Sequence, residues 1–154
     1  MNLPVGAPVP DFTAAATGGE VRLAALRPAK VVLYFYPKND TPGCTSQAMD
    51  FRDRHASFRQ AGAVVLGASR DSVASHRRFR ARLELPFELL SDPHETLCEA
   101  FGVMKTRTMY GRPARGIERS TFVIAPDGTL AQAWRGVKVP SHVDEVLSFV
   151  QSMP

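Results

Sequence analysis

The chain has 154 residues, 44% of them hydrophobic and 22% charged, with 19 Lys and Arg against 15 Asp and Glu for a net charge of +4. That length and balance fit one domain over residues 1–154 with a core of its own, and exclude disorder, collagen and coiled coil as global descriptions. The two cysteines, Cys44 and Cys98, are too few for a disulfide scaffold or for a cysteine-built zinc or iron–sulfur centre, so either one matters individually. The mild positive charge permits nucleic acid without implying it. Met1–Gly6 has no basic region followed by an apolar run, as a secretory leader would, and no apolar stretch approaches the ~20 residues of a membrane span. The expectation is a cytoplasmic, reducing setting with no nucleic-acid or membrane partner.

In chain order, Gly18-Gly19 separates Phe12–Ala16 from Val21–Leu23, which predicts a small peripheral β-hairpin. Val31-Val32-Leu33-Tyr34-Phe35-Tyr36 is a continuous apolar run of the kind that forms a strand buried on both faces. Beyond the loop Pro37–Gly43, a helix is expected from Cys44 to about Gln60. Ala63–Ser69 reads as a second buried strand, followed by a helix capped at Asp71 or Ser72 and running to about Leu83. Phe87–Leu90 makes a short strand, and Pro93 suits the first turn of a helix ending near Phe101. Lys105–Glu118 reads as a basic loop. Pro126-Asp127-Gly128 between Ser120–Ile124 and Leu130–Trp134 is a hairpin signal, and a last helix is expected from about Ser141 to Val150. This order is α/β with a mixed sheet, parallel in its first half and closed by an antiparallel hairpin. It is compatible with a thioredoxin-like layer, although periodicity alone does not choose that over a flavodoxin-like one.

The segment that carries chemistry is Tyr34–Thr45, a buried strand emptying through a Pro/Gly loop onto a helix start. Cys44 falls in the first helical turn, where unpaired N–H groups and the positive end of the helix dipole favour a thiolate. A buried cysteine that merely fills space is the alternative, but a position just after Pro-Gly is a poor core position and a good one for a nucleophile. Thr41 is spaced to bring a hydroxyl beside the sulfur.

Pro37, Thr41 and Cys44 fill the pattern P-x-x-x-T-x-x-C, which resembles the peroxiredoxin active-site motif. The longer run Y-F-Y-P-K-x-x-T-P-G-C-T with Asp50-Phe51-Arg52, together with Leu66–Ser72, Leu90–Pro93 and Gly116–Phe122, is similar to the bacterioferritin comigratory protein branch, also called peroxiredoxin Q. The resemblance covers most of the chain. It implies a thioredoxin-like fold with a central mixed β-sheet flanked by helices and an N-terminal β-hairpin extension. It further implies a thiol peroxidase without a cofactor, in which Cys44 attacks hydrogen peroxide or an organic hydroperoxide and becomes a sulfenic acid. By the same resemblance Arg119 supplies the guanidinium that stabilises sulfur and leaving oxygen, and Pro37 shields the sulfur from water. Thioredoxin, glutaredoxin or glutathione is the expected reductant, and a monomer or weak homodimer the expected assembly.

In that branch a second cysteine commonly resolves the sulfenic acid, five residues after the first or in the next helix; here those places hold Met49 and Arg80. Cys98 is what remains. Leu97, Cys98 and Phe101 share one apolar stripe of a helix, which favours a core residue. A resolving role for Cys98 stays open, because a disulfide requires only that the two Cα atoms approach within about 7 Å. The expectation is one essential cysteine recycled by an external thiol. His55, His76, His94 and His142 are too scattered for a metal site, and Arg77–Arg82 reads as a solvated helix surface around inward-facing Phe79 and Leu83. A disulfide reductase lacks its C-x-x-C pair, and a non-catalytic thioredoxin-like binding module leaves Pro37, Thr41, Cys44 and Arg119 without a purpose.

Overall fold

The computed structural model describes residues 3–154, so Met1 and Asn2 of the segment read for a leader lie outside the described residues. The apolar run after Ala29 forms β3 (Lys30–Phe35), buried along its whole length. It sits inside a seven-stranded sheet that also contains β1 (Thr13–Ala16), β2 (Gly19–Arg22), β4 (Ala63–Ser69), β5 (Glu88–Ser91), β8 (Ser120–Ile124) and β9 (Leu130–Arg135), in the order β2-β1-β5-β4-β3-β8-β9. The pairs β3–β4 and β4–β5 are parallel; β3–β8, β8–β9, β1–β5 and β1–β2 are antiparallel. The mixed sheet and its edge hairpin are therefore as the residues predict.

Because successive strand residues face opposite sides, β3 divides the interior into two cores. Val31, Leu33 and Phe35 pack with Leu97, Phe101 and Phe122 on one side. Val32 and Tyr34 pack with Phe51, Phe58, Phe79 and Val146 on the other. Lys30, at the head of β3, satisfies its ammonium on the carbonyls of Ala61, Val150 and Met153, and so ties two helix ends to the sheet.

The elements depart from expectation in three places. The helix expected over Cys44–Gln60 is two: α1 (Pro42–Asp53) and α2 (His55–Gln60), broken at Arg54, whose ψ of 7° interrupts the regular ladder. The helix expected to open at Pro93 is only α4 (Thr96–Ala100), because Asp92 takes its first amides from a distance, accepting from Leu97 N and Cys98 N. The basic loop is a hairpin, β6 (Met104–Met109) and β7 (Arg112–Ile117), forming a second, two-stranded sheet. Its turn residues Tyr110 and Gly111 both have positive φ, 53° and 77°, as a tight two-residue hairpin turn requires. Helix α3 (Val73–Leu83) is capped by Ser72, whose hydroxyl accepts from Ser75 N, and α5 (His142–Ser152) closes the chain.

The α3 surface is solvated as expected at Arg77, Arg78 and Arg82, with Phe79 and Leu83 buried, and Arg80 is half-buried. Arg77 donates to Thr17 O, while Arg80 reaches Thr17 Oγ1, Leu85 O and Glu88 Oε2, fastening α3 to the hairpin edge of the sheet.

Candidate active site

Strand β3 runs out at Phe35, and Tyr36–Thr41 carry the chain over the carboxyl end of the sheet into α1. The loop is held from inside. Asn39 is buried, its amide N donating to Asp71 Oδ2 at 3.1 Å, its Nδ2 to Ser75 Oγ at 3.1 Å, and its Oδ1 accepting from Tyr36 OH at 2.6 Å. His76 completes this network, with Nε2 2.9 Å from Leu90 O and Nδ1 3.0 Å from Asn39 Nδ2. Burial pushes the His76 pKa below its ordinary 6.5. A neutral ring that donates from Nε2 and accepts at Nδ1 satisfies both neighbours.

Thr41 is the N-cap of α1, Pro42 its first residue, and Cys44 its third. The first intrahelical bond runs from Thr45 N to Thr41 O, so the amides of Gly43 and Cys44 lie in the turn that has no helical acceptor. Cys44 is only 1% exposed. Its Sγ lies 3.4 Å from Nη2 of Arg119, which arrives at the start of β8. A guanidinium at that distance is a charge-assisted partner for a thiolate and for any oxygen bonded to it.

Two neighbours hold that guanidinium. Arg119 Nη1 donates to Gln47 Oε1 at 2.6 Å, and Gln47, one turn beyond Cys44 on the same face of α1, is fully buried. Gly43 leaves the room: a Cβ there would lie 3.2 Å from Arg119 Nη2. Gln47 is not singled out by the sequence reading; its i, i+3 spacing from Cys44 is the available signal.

The expected residues do not all meet. Pro37 is exposed and lines a cleft that Arg119 also lines. The Thr41 hydroxyl donates to Lys38 O at 2.9 Å, so its lone pairs, not its proton, are left for a ligand. Cys98 is not brought to Cys44. It packs with Val31, Leu33 and Phe35, whereas Cys44 packs with Val32 and Tyr34, on the other side of the sheet. Both thiols are free, and burial, reinforced by the carboxylate of Asp92, pushes the Cys98 thiol well above the ordinary range and keeps it protonated. Among the described residues no cluster of three His, Cys, Asp or Glu side chains is arranged to hold a metal, and no helix is long and apolar enough to cross a membrane.

Residues 5–133 match the AhpC/TSA family. The chain is 45% identical over 154 residues to peroxiredoxin Bcp of Bacillus subtilis (strain 168), covering 99% of this chain and 98% of that one. It is 47% identical over 143 residues to peroxiredoxin Bcp of Xanthomonas campestris, covering 92% and 89%. A solved structure of the Xanthomonas campestris bacterioferritin comigratory protein, described for its alkyl peroxide reduction, superposes with a TM-score of 0.90 at 45% identity over 97% of this chain and 96% of that one. A mutant of the Xylella fastidiosa protein PrxQ gives a TM-score of 0.93 at 39% identity over 99% and 98%. With the likeness running through sequence and fold over nearly its whole length, the chain belongs to the AhpC/TSA family, as a thiol peroxidase of the Bcp, or peroxiredoxin Q, group.

Proposed function

We propose that Cys44 is the peroxidatic nucleophile and that the enzyme turns over with this one cysteine. The observation that carries the reading is the 3.4 Å approach of Arg119 Nη2 to Cys44 Sγ at the first turn of α1. The thiolate attacks the terminal oxygen of a hydroperoxide: an S–O bond forms, the O–O bond breaks, and sulfur loses two electrons. The leaving oxygen departs with its electron pair and takes up a proton, giving water or an alcohol. Negative charge moves from sulfur onto two oxygens, and Arg119 with the free first-turn amides of Gly43 and Cys44 is oriented to receive it before reaction begins. Thr41, its own proton given to Lys38, is set to accept from the hydroperoxide O–H and so to turn the substrate toward the sulfur.

Hydrogen peroxide and organic hydroperoxides are both within the reach of this chemistry; the alkyl peroxide reduction of the Xanthomonas campestris relative supports the second. Recycling requires an outside thiol of the thioredoxin, glutaredoxin or glutathione kind, consuming two thiols per sulfenic acid and releasing one disulfide and one water. Three features support this. Cys98 lies beneath the opposite face of the sheet. Met49 and Arg80 occupy the two places where the branch commonly carries a resolving cysteine. Arg80 is bonded at three points, to Leu85 O, Thr17 Oγ1 and Glu88 Oε2. Two free thiols suit a reducing, cytoplasmic compartment.

One equivalent of peroxide followed by intact mass measurement tests the proposal. The expected product is heavier by about 16 Da, the sulfenic acid, and Cys44→Ser abolishes it. A product lighter by about 2 Da that disappears in Cys98→Ser would overturn the one-cysteine mechanism.

A further inference from the structure

Two clefts share Pro37, Arg107 and Ile117 as a common wall, and one of them reaches Arg119, the partner of the Cys44 sulfur, although Cys44 itself lines neither. That one has a volume of about 370 Å³, with Pro37, Ile117 and Val137 as its apolar surface and Arg107 and Lys138 as cations beside Arg119 itself. The other, about 210 Å³, adds Arg70, Lys105 and Arg115. No carboxylate lines either one.

The positive charges are unequally committed. Arg70 and Arg115 both bond Glu95, so their charge is largely answered. Arg107 has only Glu118, at 4.0 Å, and Lys105 and Lys138 make no ion pair among the described residues. The cleft beside Arg119 thus carries two cations with unused donors, next to apolar surface, one residue away from the sulfur. The β6–β7 hairpin that brings Arg107 joins the reaction centre at its base: Glu118 N donates to Val103 O at 2.7 Å, and Arg119 follows directly. The cleft beside Arg119, at about 370 Å³, falls in the size range of small-molecule sites.

We propose that this cleft is a carboxylate-recognition site, in which Arg107 and Lys138 hold the anionic end of a small co-substrate while its reacting end lies against Cys44. The inference rests on the thiol-peroxidase reading of Cys44. The carboxylate can belong to either co-substrate that visits the sulfur, the hydroperoxide or the reducing thiol, and the same two side chains would recognise both. A guanidinium and an ammonium in a partly enclosed, apolar-walled cleft bind a carboxylate through charge-assisted hydrogen bonds, and high salt weakens them.

The test pairs each acid with its uncharged ester. In one arm, rapid mixing follows oxidation of Cys44 by an unsaturated fatty-acid hydroperoxide and by its methyl ester; in the other, it follows reduction of the Cys44 sulfenic acid by glutathione and by glutathione diethyl ester. Hydrogen peroxide serves as the uncharged reference. The acid should be preferred by about tenfold in at least one arm, and that arm identifies the source of the carboxylate. The preference should fall toward unity in Arg107→Gln/Lys138→Gln and at high salt, with the hydrogen peroxide rate unchanged. Equal rates for acid and ester in both arms, or a preference that survives the double substitution, would overturn the site. A protein that hydrogen peroxide fails to oxidise at Cys44 would instead overturn the reading beneath it, so the two failures are distinct.

Discussion

Arg119 is held to α1 by Gln47, whose Oε1 accepts from Nη1 at 2.6 Å while the other guanidinium nitrogen faces Cys44. The glutamine does not touch the sulfur; it orients the cation that does. Truncating it frees one arm of the guanidinium in a site where misorientation weakens the whole electrostatic contribution. Gln47→Ala should lower kcat/KM for hydrogen peroxide by about tenfold with the far-ultraviolet circular dichroism unchanged. The double-substitution cycle is the sharper measurement: in an Arg119→Ala background the same change should cost almost nothing, since the two act as one unit. Additive losses would show that Gln47 acts by another route.

Gly43 offers a test in which stability and activity part company. It lies inside the first turn of α1, where alanine is a better helix former than glycine by up to about 1 kcal/mol. Yet its added Cβ would sit 3.2 Å from Arg119 Nη2, closer than a comfortable contact. Gly43→Ala should therefore leave Tm unchanged or slightly raised while peroxide reduction falls. A variant with full activity would mean that Arg119 can yield without leaving the sulfur.

How much of this was legible in the sequence depends on what each element buries. Strand β3 announces itself because both its faces are covered, and α1 begins where Thr41-Pro42-Gly43 must begin it. The β6–β7 hairpin is invisible to the same reasoning. Lys105, Thr106, Arg107, Thr108 and Met109 are exposed on both faces, so no alternation of apolar and polar residues marks the strand, and cross-strand pairing with Arg112–Gly116 holds it. The break at Arg54 leaves no trace because Phe51 and Phe58 both fill the same core from either side of it. At the site, the helix start points to Cys44 and Thr41, the P-x-x-x-T-x-x-C pattern adds Pro37, and the wider family resemblance adds Arg119. The positions of Gln47 and of the Thr41 hydroxyl follow from helix packing and loop carbonyls, which a motif does not encode.

The location of Cys98 yields its own expectation. The thiol is wholly buried among Leu97, Phe101 and Phe35, across the sheet from Cys44. Cys98→Ala removes one sulfur from a packed core and should lower Tm by a few degrees, on the order of 1 kcal/mol, without altering the rate or product of peroxide reduction. Loss of turnover with an outside thiol, at unchanged fold, would return Cys98 to the catalytic cycle.

The buried histidines set the acid limit of the fold. His76 and His142 both have pKa values pushed below the ordinary 6.5, by burial first of all. Protonating His76 would set a ring N–H against Asn39 Nδ2, itself a donor, at the loop that carries the reaction centre. Thr121 Oγ1 sits 2.8 Å from His142 Nε2, so the second ring is also engaged. The sign follows from proton binding: below pH 6.5 the unfolded chain takes up protons that the folded rings refuse, so stability is full above 6.5 and is lost as pH falls toward the folded values. The carboxylates of Asp11, Glu95 and Asp127, held below ordinary values of 3.8 to 4.5 chiefly by the Ala24 amide, by Arg115 and by Thr129 respectively, lose their contribution only lower still, and Asp50, raised by burial, acts in the opposite sense there. The urea midpoint should therefore fall between about pH 7.5 and pH 5.5, with the decline shallower in His76→Gln even though that variant starts less stable. A midpoint flat across that window would contradict the assignment of two neutral rings to the folded state.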